Sequence, residues 1–176
     1  MPAIDDRPVV LVLTAHADDA EFFAGGTLCG FAAQGFRIVE VIATDNSRGS
    51  FDLDSGTLVD RSRKIEAAAA ARIIGKDTVE FLGHPDGFLC EIPSIALRER
   101  YIWYIRKYAP KLVMSFDPWA PFEPHPDHRH VAMAATEAVA FSHMPLFHPE
   151  HANEGHKPHL VPERYWFAKS PERCNK

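Results

Sequence analysis

Short apolar runs alternate along this chain with longer segments of mixed or helix-favouring character. Residues 9–14 (VVLVLT) are β-branched and apolar on both alternating sets of positions, the pattern of a strand covered on both faces. Residues 38–43 (IVEVIA), 78–82, 111–116 (KLVMSF) and 164–168 are four further strand candidates. The segments between them predict four helices. The first covers 27–34, opened by Gly25-Gly26 and stopped by Gly35; the second covers 58–74, alanine-rich and stopped by Gly75. The third covers 92–108, with Pro93 in its first turn, and the fourth 129–141. Residues 44–57 and the proline-rich 117–128 read as loops, and 144–162 as irregular. Strands alternating with helices predict an α/β fold with a mostly parallel sheet. Ligands of such sheets sit beyond the carboxyl ends of the strands.

Composition narrows the picture. At 176 residues the chain suits one domain over 1–176, and a domain of that size buries roughly 70% of its unfolded surface. Nineteen basic against twenty-four acidic residues give a formal charge of −5 without any long basic run, so no nucleic-acid partner is indicated. The apolar run 8–14 is far too short to span a bilayer. The first residues lack the basic-then-apolar layout of a secretory signal, and three widely spaced cysteines do not suggest a disulfide framework. The expected compartment is the cytoplasm. Histidine is the unusual residue: there are ten, eight of them after residue 124.

Two blocks carry chemistry. His16-Ala17-Asp18-Asp19 follows the first strand and His125-Pro126-Asp127-His128 follows the fourth, so parallel strands would bring both to one edge of the sheet. Imidazole with carboxylate suits zinc, and also iron or nickel. A spare carboxylate beside a metal ligand is a natural base for a bound water. Elsewhere the ordinary reading holds. Asp45 and Asp117 read as caps or turn formers, and His130 as a packing or solvent-facing residue. His143, His148, His151, His156 and His159 read as surface-loop histidines without a role.

Residues 15–28 (AHADDAEFFAGGTL) resemble the signature of the LmbE-like, or PIG-L, superfamily of metal-dependent N-deacetylases, a His-Pro-Asp-Asp-Glu block followed by Gly-Gly-Thr. Residues 117–135 (DPWAPFEPHPDHRHVAMAA) resemble its His-Pro-Asp-His block, and 63–66 with the alanine run and 81–87 (FLGHPDG) its middle motifs. The resemblance covers about 9–140 and implies a Rossmann-like α/β sheet. It implies His16, Asp19 and His128 as metal ligands, with zinc the usual ion and iron(II) or another divalent ion also admissible. Asp18 would be the general base toward a metal-bound water, and His125 would stabilise the oxyanion or protonate the leaving amine. Asp127 would orient a histidine, and Arg63 and Asp86 would hold sugar hydroxyls at the rim.

The expected activity is removal of an N-acetyl group from an N-acetylglucosamine-containing small molecule, with an acetamido sugar as partner. Phe88, Trp119 and Phe122 are candidates for stacking on a sugar face. The 117–129 stretch leans toward the diacetylchitobiose branch. Relatives are often homo-oligomers, though composition reveals no interface. Ala17 and Ala20 depart from the family block, with Glu21 one position late. The loop after the second strand lacks a glycine and a glutamate common in relatives. The chain also stops at Lys176, where relatives commonly continue, so a short member or a partial chain is expected. Two other readings compete: a non-haem iron oxygenase, which also uses two histidines and a carboxylate, and a non-catalytic metal- and sugar-binding module.

Overall fold

The computed structural model describes residues 5–61 and 65–168; Arg63, Lys64 and Cys174 lie outside them. Five strands, β1 (Val9–Thr14), β2 (Arg37–Thr44), β3 (Lys76–His84), β4 (Leu112–Phe116) and β5 (Glu163–Phe167), form one sheet in the order β3-β2-β1-β4-β5. Every neighbouring pair is parallel. Helices α1 (Asp19–Ala33) and α3 (Ala67–Ile74) pack together against β1, β2 and β3, while α4 (Ser94–Tyr108) and α5 (Pro126–Phe141) pack together against β1 and β4. Central β1 is therefore buried at all six positions, which its unbroken apolar run requires. The α/β expectation is met, and the sheet is wholly parallel among the described residues.

Helix starts are where the structure differs from the sequence reading. The first helix begins at Asp19, not at residue 27, and Gly25-Gly26 lie inside it. Glycine in a helix interior costs roughly 1 kcal/mol, an amount that the burial of Ala20, Ala24 and Leu28 outweighs. The expected 58–74 helix is two helices. Asp54 starts α2 (Ser55–Arg61) by accepting the Thr57 N–H at 3.0 Å, and residues 65–66 widen into a π turn before α3. Gly75 ends α3 at φ 86°, and a Cβ there would meet the Ala32 Cβ at 3.0 Å. Pro93 precedes α4 as its cap residue rather than entering its first turn. The last helix starts at Pro126, three residues before the expected 129, because proline fits the first helical position and His125 caps it. The strands shift by at most two residues at either end.

The irregular stretch after α5 is tied down by one buried cation. Arg106 donates to the carbonyls of Ser142, Met144, Phe147 and His148 at 2.7–3.0 Å. It also donates to His151 Nδ1 at 3.3 Å, so the His151 proton lies on Nε2 and is given to Glu99 at 2.8 Å. His151 is 2% exposed, which corrects its reading as an idle surface residue. His159 Nε2 likewise donates to the Pro110 carbonyl at 2.8 Å. No helix among the described residues is long and apolar enough to cross a membrane.

A second buried ionic group lies between α1 and the sheet. Lys76 Nζ bridges Glu40 at 2.6 Å and Glu21, and Thr14 Oγ1 donates to Glu40 at 3.1 Å. Burial, reinforced by Glu21 and opposed by Lys76, pushes the Glu40 carboxyl up from 4.5 to about 7. Its favourable contribution to stability is complete below the ordinary value and is lost as pH rises through about 7. Urea unfolding of wild type and Glu40→Gln across that window should give a stability difference that falls with rising pH. A difference independent of pH would contradict the assignment.

Candidate functional site

The crevice lies where β1 and β4 adjoin and their following helices leave over opposite faces, the switch point of the sheet. Its pivot is Asp19 at the start of α1. Asp19 Oδ2 accepts the backbone N–H groups of Ala15 (2.9 Å) and His16 (2.7 Å), which folds the end of β1 back onto the helix. Asp19 Oδ1 lies 3.3 Å from His128 Nε2, and Oδ2 lies 3.7 Å from His16 Nδ1. The two ring nitrogens are themselves 3.3 Å apart. For bonds of 2.0–2.2 Å, a tetrahedral ion separates its ligand atoms by about 3.3–3.6 Å. The two ring nitrogens meet that spacing, Asp19 approaches each with a different oxygen, and His125 offers a further nitrogen within 4.8 Å of the other two rings.

The outer nitrogens of both rings face carboxylates. His16 Nε2 is 3.1 Å from Asp86 Oδ1 and 3.4 Å from Asp127 Oδ2. His128 Nδ1 is 3.2 Å from Glu123 Oε1. With protons held on the outer nitrogens, the inner lone pairs point at the shared centre, as ion-binding imidazoles require. Without an ion, the same crowding favours protonated rings, whose inner protons a bound ion would have to displace. Burial opposes charge on His16, but Asp127, Asp19 and Asp86 outweigh it and lift the imidazole to about 11. Burial likewise opposes ionisation of Asp19, yet His128 and His16 hold it well below the usual carboxylate range.

The remaining expected residues take distinct places. Asp18 is exposed on the cavity wall and makes no capping hydrogen bond. His125 Nδ1 accepts the Asp127 N–H at 3.2 Å as the cap of α5. Burial, with His16 and His128 nearby, lowers its basicity, so the neutral ring carries its proton on Nε2. Asp127 is fully buried and accepts the N–H groups of Gly87 (2.7 Å) and Leu89 (3.0 Å). Asp86 is turned inward: besides facing His16 it accepts the Arg48 N–H at 3.0 Å, so the structure places it beneath His16. Arg63 lies outside the described residues. Asp45 and Asp117 are turn formers, accepting N–H groups two residues on.

A cavity of about 850 Å³ opens above the centre. Arg48, in the loop after β2, lines it and stacks over Phe88 at 4.7 Å. Phe22, 84% exposed, lines the same wall. Trp119 and Phe122 are exposed and lie outside this lining. Glu123 escaped the sequence reading, although an acidic residue two positions before the His-Pro-Asp-His block was a signal for it.

Two imidazoles and a carboxylate converging at the switch point of an α/β sheet form a candidate metal site in an open crevice. The PIG-L family, described as GlcNAc-PI de-N-acetylase, matches residues 11–139, and the chain belongs to it. It is 33% identical to a diacetylchitobiose deacetylase of Thermococcus kodakarensis over 89% of this chain and 58% of the relative. It is 26% identical to a 1D-myo-inositol 2-acetamido-2-deoxy-alpha-D-glucopyranoside deacetylase of Actinosynnema mirum, over 80% and 59%. Among solved structures, an N,N'-diacetylchitobiose deacetylase from Pyrococcus horikoshii superposes with a TM-score of 0.85 at 30% identity, covering 93% of this chain and 61% of that one. A 4-carboxy-2-hydroxymuconate hydratase from Pseudomonas putida, GalB, gives 0.74 at 26% identity, over 95% and 68%. The chain thus spans about three fifths of the length of the curated relatives it matches.

Asp127 joins the 87–89 turn to α5. Asp127→Ala leaves one buried and one half-buried N–H group unpaired and should cost about 2–4 kcal/mol in urea unfolding, with Asp127→Asn costing less. Equal stability of the alanine variant and wild type would refute that coupling.

Proposed function

We propose that this chain carries the catalytic domain of a metal-dependent N-deacetylase acting on N-acetylglucosamine-containing small molecules. The observation that carries the reading is the convergence of His16 Nδ1, Asp19 and His128 Nε2 within 3.3–3.7 Å of one another, beside the exposed carboxylate of Asp18. The deacetylase names of the relatives support it. The mixed nitrogen and oxygen donors suit zinc, with iron(II) or another divalent ion able to use the same set. Such an ion, when bound, polarises the amide carbonyl and acidifies water.

The protein's own residues divide the remaining work. Asp19 spends both oxygens on the backbone and the histidines, so it anchors and does not shuttle protons. Asp18 faces the cavity and takes the proton from the attacking water. His125, neutral with its proton on Nε2, donates that N–H to the developing oxyanion, an interaction worth roughly 3 kcal/mol in other enzymes. The same neutrality makes it a donor of a hydrogen bond rather than a ready source of a proton. The proton that Asp18 takes from the water is therefore the one returned to the leaving amine nitrogen as the C–N bond breaks. Asp86 and Asp127 hold His16 in orientation. Arg48 lines the cavity within reach of sugar hydroxyls, a task the family resemblance also implies for Arg63, and a cavity of about 850 Å³ falls within the usual range for small-molecule sites.

The test is amine release across a panel of acetamido sugars, paired with metal analysis. Asp18→Ala should retain its metal and lose at least 100-fold in turnover, whereas His16→Ala should lose the metal itself. Undiminished turnover in Asp18→Ala would remove Asp18 as the base. Absence of amine release from every sugar would overturn the deacetylase reading.

A further inference from the structure

The His128 ring lies face to face with Phe116, with centroids 4.2 Å apart and planes 15° from parallel. Stacking fixes the plane of an imidazole but not which edge points where. A 180° flip about Cβ–Cγ keeps the stack and exchanges Nδ1 with Cδ2 and Nε2 with Cε1. In the flipped state a carbon, with no lone pair, would face Asp19 and His16. Something must break that symmetry, and Phe116 cannot.

Glu123 stands on the side that does. Its Oε1 accepts the His125 N–H at 2.9 Å and lies 3.2 Å from His128 Nδ1, an ion-pair approach whose geometry does not make a hydrogen bond. The carboxylate is 14% exposed and sits just before the start of α5, where the helix dipole favours negative charge. Its backbone is also held: Arg129 donates to the carbonyls of Glu123 and Pro124 at 2.8 and 3.0 Å. A flip would set a C–H against this carboxylate in place of an N–H.

We infer that Glu123 is the positioning residue of His128, selecting the ring orientation and tautomer that present Nε2 to the metal centre, and through the His125 N–H it sets the two histidines in register. This rests on the reading of His128 as a metal ligand. Asp86 and Asp127 do the corresponding work for His16, so each imidazole is matched to its own carboxylates. Loss of such an outer partner typically weakens metal binding 10- to 100-fold.

Zinc affinity, measured by competition with a chromophoric chelator, tests the inference without reference to turnover, and urea unfolding of the metal-free proteins runs beside it. His128→Ala should lose zinc affinity most. Glu123→Ala should weaken zinc 10- to 100-fold, and Glu123→Gln, which keeps an acceptor for both N–H groups, should recover part of that loss. Metal-free stability of Glu123→Gln should match wild type, which separates orientation from folding. Cobalt-loaded Glu123→Gln should show shifted ligand-field bands. Weakened binding in His128→Ala with wild-type affinity in both Glu123 variants would overturn the role of Glu123 alone. Undiminished affinity in His128→Ala would overturn the ligand reading with it. A Glu123→Ala variant that fails to fold leaves the decision to Glu123→Gln, where unchanged affinity and an unchanged cobalt spectrum count against the inference.

Discussion

Everything at the sheet edge depends on the Asp19 carboxylate. One of its oxygens closes the turn after β1 by taking two backbone N–H groups, and the other reaches the helix that follows β4. A strand end, a helix start and a second helix start are thereby fastened to a single side chain. The charge is tolerable in a nearly buried place because two imidazoles face it. Asp18, one residue earlier, escapes all of this and keeps its reach into the cavity. Adjacent, chemically identical side chains become an anchor and a reactive group through the turn alone.

The same economy of buried charge appears below the crevice. Lys76 sits between Glu40 and Glu21 with both Lys76 and Glu40 side chains 1% exposed. Groups like these cost desolvation that hydrophobic replacements would not, and they specify register because each must find its partner. Glu40 reaches Lys76 only when β2 and β3 pair as they do, with Ile38 opposite Lys76. The GalB neighbour, a hydratase, is a reminder that this architecture hosts more than one reaction. The identity of the chemistry resides in the side chains above the sheet.

How far could the sequence be read? The doubly apolar β1 and β4 were legible because a strand buried on both faces is mostly apolar, its few polar side chains, such as Ser115, bonded internally. The His16–Asp19 and His125–His128 blocks were legible because their chemistry is local, a few residues delivered by one turn. Helix starts were misplaced wherever glycine or proline stood near them. Gly25 and Gly26 suggest a break that packing overrides, and Pro126 suggests a loop although the first helical position welcomes it. Partners far apart in sequence that belong to neither block were not legible. His151 with Glu99, and Glu40 with Lys76, meet only once the topology is known. Asp86 illustrates both limits: it belonged to the site by motif, but only the fold reveals that it turns beneath His16.

The Arg106 clasp has a mechanical consequence. By gripping four carbonyls between α5 and β5, it shortens the slack in the connection that delivers β5 to the sheet. Strand β5 ends in Phe167, whose ring meets Phe116 at 4.8 Å and Phe23 at 5.8 Å, and Phe116 is the plate against which His128 lies. The guanidinium and the imidazole are thus links in one load path, running from a surface-side loop through an aromatic stack to the crevice. A helix residue with no view of the cavity helps to set the stiffness of its floor.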